Sequence, residues 1–383
     1  MQLKAISESQ KLYQKPKDIF NQNIKSCNSS TQETTSKTSF NENDKTNIFI
    51  FRPFINNLAP DFKDNFELLE YMNSGSVGVV YKGLYKKTKK NVAIKFMINQ
   101  KQKYKKEGKE KENEFLKNEN LNYSQEIALS RKLHHKNTIE IYAYYKNPNI
   151  EYSVLEFAKH GDIEYFLKYL LKRNVLSETA LNYFGKQILE SLNYLHRCKI
   201  VHLDIKPGNI LIDSNLIIKI IDFSVSCSYA SFHPEDLVKF PFVGTGKFIC
   251  PEIIDKTHMK IKEAEKIDIY SFGVTLFYLF YGEYPYKLKD VKSKDYNSIL
   301  NHIKNENLIF PTGRKISNKF KDFLQKSLEK DYTKRLNIKE ALNHPWMKGS
   351  QIIFDEKENT SCLENFLIQI ITDNIKKFND YIK

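Results

Sequence analysis

The chain has 383 residues, 41% hydrophobic and 13% aromatic, which is enough to build the core of one two-lobed domain or two ordinary ones and excludes a wholly disordered chain. Its net charge of +14 comes from lysines scattered among asparagines and glutamates, not from an arginine-rich arm, so it points to a solvated surface and away from nucleic-acid binding. The dispersed cysteines, Cys27, Cys198, Cys227, Cys250 and Cys362, form no CxxC pair, which speaks against a disulfide framework or a zinc site and suits a reducing, cytoplasmic setting.

The first residues, MQLKAISESQKLYQ, contain no apolar run of the secretory kind. Residues 1–60 are rich in Asn, Ser, Thr and Lys with few periodic apolar positions, and are expected to form a disordered polar arm. From Phe66 to Met97 the pattern changes to short β-branched and apolar runs, VGVVYKGLY and NVAIKFMI, which predict adjacent strands. Lys101 to Asn120 is a dense mixed-charge segment and reads as a solvated insertion. Helical spacing then takes over. Leu181, Phe184, Ile188, Leu192 and Leu195 fall on one face of a helix that Ser177 can cap.

Strand-like NILI and LIIKII follow. The most apolar stretch, Ile267 to Tyr286, is interrupted by Asp268, Ser271 and Glu283 and is shorter than a bilayer requires, so a buried core helix is expected, not a membrane span. Helices fill the rest up to Trp346. Beyond residue 348 a tail carries an amphipathic helix, with Leu363, Leu367, Ile370, Ile371, Phe378 and Ile382 in its stripe and Ser361 and Glu364 as a capping box. Strands first and helices later predict an α+β architecture with two unequal lobes.

Some residues carry chemistry. The segment MNSGSVGVV, from Met72 through Asn73, Gly75 and Gly78 to Val80, lets backbone approach a phosphate where glycines lack a Cβ. Lys95 ends the strand-like VAIK, and a lysine in an apolar strand must be paired or used; Glu126 in QEIALSRKL is the expected partner, on a helix. The densest segment is VHLDIKPGNILI. In it Asp204 can orient an attacking hydroxyl as base, Lys206 can neutralise charge on a migrating phosphoryl, and Asn209 can offer a neutral oxygen to Mg²⁺. Asp222 in IIDFS is the expected principal Mg²⁺ ligand. His134 and His135, in RKLHHKN, read as a helix-to-strand loop, not as a metal site.

Together these motifs resemble the eukaryotic protein kinase family, of the serine/threonine type, over Phe66 to Met347. Further pieces agree: Cys250-Pro251-Glu252 resembles the A-P-E motif, Asp268 the aspartate that anchors the catalytic loop, Arg335 the arginine that pairs with Glu252, and His344 to Trp346 the domain end. The resemblance implies a two-lobed fold, with a small mainly β lobe over about 66–157 and a larger mainly α lobe over about 158–347. It implies ATP and Mg²⁺ as cofactors and a protein substrate, with room for a regulatory protein partner. By the same resemblance Val80, Ala93 and Leu211 would sandwich the adenine, Leu155 would be the gatekeeper, and Glu156 and Ala158 would offer backbone hinge contacts. Asp162 would reach the ribose or a basic substrate residue, and Lys206 with Thr245 would mark serine/threonine over tyrosine transfer. Kinases that activate other kinases, of the calmodulin-kinase-kinase and liver-kinase-B type, share a faint likeness.

Four positions depart from the family pattern. Asn73 replaces a cradle glycine, Ser224 the glycine of D-F-G, Ser130 a leucine that stacks against Phe223 and His202, and Leu203 the arginine of H-R-D. The smaller Ser130 leads to the expectation that the helix bearing Glu126 needs outside help to dock. Leu203, together with Pro241 where an acceptor threonine would fall, predicts a kinase that is active without a phosphate on the activation segment or is held active by a partner. Two alternatives stay open at this point, a nucleotide-binding pseudokinase scaffold and a small-molecule kinase on the same fold.

Overall fold

The computed structural model describes residues 58–74, 78–97, 126–147, 150–170, 175–286 and 296–348. The polar arm (apart from its last few residues), Gly75, the mixed-charge segment and the C-terminal amphipathic helix lie outside the described residues.

Alternating β-branched and aromatic residues build the first layer. Strands β1 (Phe66–Ser74), β2 (Gly78–Tyr85), β3 (Lys90–Met97), β4 (Ile141–Lys146) and β5 (Glu151–Glu156) form one antiparallel sheet in the order β1-β2-β3-β5-β4. Because side chains alternate across a strand, the register sorts this sheet into two faces. Val92, Ile94, Phe96, Tyr152 and Val154 fill a small core, which Phe62 of the short helix α1 (Phe62–Asn65) joins edge-on to Tyr152 at 5.1 Å. Val80 opposite Lys95, and Ala93 opposite Leu155, turn to the other face. Gly78 sits where β2 runs against β3, and a Cβ there would lie 2.1 Å from the Phe96 carbonyl oxygen, so close approach requires glycine. Helix α2 spans residues 126–130.

The second, larger region is helical. After α3 (Ile163–Tyr165) comes α4 (Glu178–Arg197), started by Ser177, whose hydroxyl accepts from the Ala180 amide at 3.2 Å. Its predicted face is realised: Leu181, Ile188, Leu192 and Leu195 are fully buried and Phe184 nearly so. Paired short strands follow: β6 (Ile200–Val201) with β9 (Cys227–Ser228), β7 (Ile210–Ile212) with β8 (Ile218–Ile220), and β10 (Leu237–Val238) with β11 (Met259–Lys260). They hold the loops that carry the candidate site.

Helix α5 (Pro251–Ile254) precedes α6 (Glu265–Tyr281), which is buried on nearly every side. The apolar stretch read as continuing to Tyr286 stops being helical at Tyr281, because Gly282 turns left-handed at φ 72° and its amide bonds back to the Tyr278 carbonyl. Helices α7 (Tyr296–Asn305), α8 (Asn318–Ser327), α9 (Ile338–Asn343) and α10 (Pro345–Lys348) complete the bundle. Among the described residues no helix is long and apolar enough to cross a membrane. Arg335 ties the bundle together. It grips both oxygens of Glu252, its Nε donates to the Glu329 carbonyl at 2.8 Å, and both ion-pair partners are almost fully buried.

Candidate active site

One half of the site belongs to the sheet. Lys95 lies on the central strand β3, between Val80 on β2 and Ser153 on β5. Its Nζ meets both carboxylate oxygens of Glu126, at 3.0 and 3.1 Å, so the pair inferred from VAIK and QEIALS forms. Burial pushes the Glu126 carboxyl up, the negative charge of Asp222 adds to that, and Lys95 opposes it. Ser130, where a leucine was expected, is buried. With Ser130 at that place, helix α2 presents Glu126 to Lys95. Met72 and Asn73 are exposed near the end of β1, with Asn73 opposite Val80.

The other half sits on the helical region. The Asp268 carboxylate on α6 accepts from the backbone amides of His202 and Leu203, at 2.9 Å each, and from His196 Nε2 at 2.8 Å. A fully buried carboxylate with these partners fixes the loop that follows β6. Leu203 is buried and takes φ 67°, a left-handed turn that swings Asp204 into place. Asp204 Oδ1 accepts from the Thr245 amide at 2.8 Å, and Oδ2 accepts from Lys206 Nζ at 2.7 Å and Asn209 Nδ2 at 2.9 Å. Asn209 Nδ2 also donates to the Asp204 carbonyl at 2.8 Å, so its donor is spent on Asp204 and its Oδ1 is left for a cation. Lys206 also reaches the Thr245 hydroxyl.

Asp222 follows β8. The Ile221 amide donates to the Asn209 carbonyl at 3.1 Å, which brings the two loops together. Burial works against ionising Asp222, but the Lys95 charge and hydrogen bonds from Ser224 prevail and hold its carboxyl below the usual range. Ser224 donates its hydroxyl to Asp222 Oδ1 at 2.6 Å, a bond that glycine cannot make. Phe223 is buried edge-on against His202 at 5.1 Å.

The remaining predicted residues line the junction between the two halves. Leu211 on β7 is half-buried and bridges by its backbone to Asp162. The Asp162 carboxylate accepts from the Glu164 and Tyr165 amides at 3.0 and 2.8 Å and so caps α3; burial nevertheless raises its carboxyl. Glu156 lies opposite Val92 at the end of β5 with its side chain on Lys219 at 2.7 Å, and Ala158 is buried just beyond. Sequence reasoning missed Gly244. At φ 101° a Cβ there would lie 2.6 Å from the Leu203 carbonyl, so only glycine lets the Thr245 amide reach Asp204. A glycine directly before Thr245 was the available signal.

An ionised Asp222, a neutral Asn209 oxygen and a lysine held at Asp204 suit a hard cation and a polyanionic group, with Asp204 as hydroxyl acceptor. Comparison with known proteins agrees with this chemistry. The protein kinase domain family model matches residues 66–347. The chain is similar to human Death-associated protein kinase 2, 31% identical over 83% of this chain and 81% of the relative. It is similar to the Serine/threonine-protein kinase TOS3 of Saccharomyces cerevisiae, 31% identical over 74% of this chain and 53% of the relative. The Aurora kinase of Dictyostelium discoideum is 27% identical over 74% of this chain and 66% of its own length.

Proposed function

The chain belongs to the protein kinase family and is a serine/threonine protein kinase, and from that premise we propose how its own residues divide the work. Asp204 accepts the proton of the substrate hydroxyl and aims that oxygen. The observation that carries this role is its seat: one oxygen is held by the Thr245 amide and the other by Lys206 and Asn209, so its direction is set before any substrate arrives. Lys206 stands beside it as the cation that balances charge growing on the transferred group.

Kinases of this family use ATP with Mg²⁺, and the residues present fit that pair. Asp222 is kept ionised beside Lys95, and Asn209 keeps an oxygen for the ion. Bound magnesium would neutralise phosphate charge there. Lys95, fixed by Glu126, would hold the nucleotide's phosphates. Val80, Ala93 and Leu211 would enclose the base, with the Glu156 and Ala158 backbone at its edge and Asp162 toward the ribose. Met72, Asn73, Gly75 and Gly78 would cover the phosphates. Nothing at these positions favours the pseudokinase or small-molecule alternatives.

The test is Asp204→Asn. Phosphoryl transfer to a generic protein should fall about a thousandfold or more, a loss of roughly 4 kcal/mol in transition-state stabilisation, while ATP affinity stays nearly unchanged. Equal transfer by the two proteins would overturn the assignment.

A further inference from the structure

One cation beside the catalytic centre has no task in the chemistry above. Lys247 lies two residues beyond Thr245, the residue whose amide holds Asp204. Its stretch, the single-turn helix Gly246–Phe248, is pinned to the core at successive carbonyls. Tyr286 donates its hydroxyl to the Lys247 carbonyl, and Ser271 donates to the Phe248 carbonyl at 2.8 Å. The backbone under Lys247 is therefore fixed relative to Asp204.

Its side chain is also placed. The ammonium lies 4.7 Å from the centre of the Tyr284 ring, within cation–π range, and among the described residues no carboxylate pairs with it. Tyr284 stacks on Tyr278 at 5.0 Å, and the Tyr278 hydroxyl donates to Glu164 at 3.0 Å. A shelf of stacked tyrosines thus separates a carboxylate already engaged at one end from an unspent ammonium at the other. Asp162 is engaged too, capping α3. At position 208 glycine brings no charge, and a Cβ there would meet nothing within 4 Å.

The centre that the substrate must approach contains two carboxylates, Asp204 and Asp222, and is built for a polyanion. Lys206 is engaged by Asp204 and Lys95 by Glu126, so an acidic substrate side chain would be repelled there unless a further cation met it. Two residues of chain span at most about 7 Å, and less on this single turn, so Lys247 can meet a side chain close to the acceptor but not a distant one. We propose that Lys247 selects protein substrates that carry an aspartate or glutamate one or two residues from the acceptor hydroxyl. This selection rests on the catalytic reading above and names its substrate class.

The experiment uses the full chain, casein as a generic acceptor, and serine peptides differing only by Asp, Ala or Lys at each of the two positions on either side. For the unaltered protein, Asp at one of these positions should raise kcat/KM over Ala by about fivefold, mainly through KM, as expected of a partly exposed charge pair. Lys247→Met, which keeps the stem on Tyr284, should bring that ratio to about one. Lys247→Glu should invert it toward the Lys peptide, and Lys247→Arg should retain it. Casein phosphorylation with equal use of all peptides would overturn the selection alone. An unchanged ratio in Lys247→Met would overturn the role of this residue. Transfer to no acceptor at all would overturn the catalytic reading and this inference together.

Discussion

The two halves of the active site are built to different standards. On the helical side Asp204, Lys206 and Asn209 interlock, and the loop that carries them hangs from the fully buried Asp268 through two backbone amides. On the sheet side one ion pair, Lys95 with Glu126, links strand to helix, with side chains 21% and 12% exposed. Folding therefore fixes the helical half more firmly than the sheet half. Removing a buried acceptor strands donors that water cannot reach, so the fold itself enforces the Asp204 geometry. Glu126, already pushed toward its neutral form by burial, can take a proton and survive the loss of its partner. The sheet half is the adjustable one.

The two halves should respond differently to substitution. The largest effect is expected at Asp268→Ala, which orphans the amides of His202 and Leu203 together with His196. Stability should fall by about 3 kcal/mol or more and transfer should fall with it, read by denaturant unfolding and a kinase assay on the same sample. A stable, active variant would show that the loop holds itself. Lys95→Met should separate the two readouts, with transfer down about a hundredfold but stability changed by less than about 1 kcal/mol. Equal losses in both would put Lys95 in the scaffold.

The pH response sharpens the same contrast. Burial raises Glu126, whereas Lys95 and Ser224 lower Asp222 against the effect of burial. As pH falls, Glu126 is therefore protonated first, and Lys95 loses its anionic partner while Asp222 is still ionised. Activity should decline on the acid side through that step, and Glu126→Gln, neutral throughout, should lower activity at neutral pH and flatten the acid limb. A limb that survives Glu126→Gln belongs to another group. The smallest effect is expected at Ser224→Gly, which loses the 2.6 Å hydroxyl bond to Asp222 and should weaken magnesium dependence by about fivefold or less, measured by titrating the metal.

The helical half was the more legible in sequence. Asp204, Lys206 and Asn209 fall within one short run, where contacts follow from local chain geometry, and Asp268 was legible through its resemblance to the aspartate that anchors the catalytic loop. The Lys95–Glu126 pair was legible because a strand lysine needs a counter-ion. What escaped were contacts set by tertiary approach. Gly78 was read for its access to phosphate, while the carbonyl of Phe96 supplies a packing reason for it. Gly244 presses on Leu203, far away in the chain, and its place directly before Thr245 was the one local sign of that. Asp162 was read for a ligand, and its duty to the amides of α3 depends on a three-residue helix too short to show periodicity.

The Asp204 half is expected to work without a phosphate on the activation segment. Leu203 is buried where a phosphate-binding arginine was expected. The activation segment is held instead by β10 pairing with β11, by the Ile261 amide on the Asp236 carbonyl at 3.0 Å, and by Glu235 with Lys260 at 2.8 Å. The direct measurement is phosphoryl transfer before and after phosphatase treatment, with mass spectrometry of the stretch from Asp222 to Glu252. Activity should persist when that stretch carries no phosphate. A collapse of activity on removing a phosphate from it would show that the segment needs that phosphate.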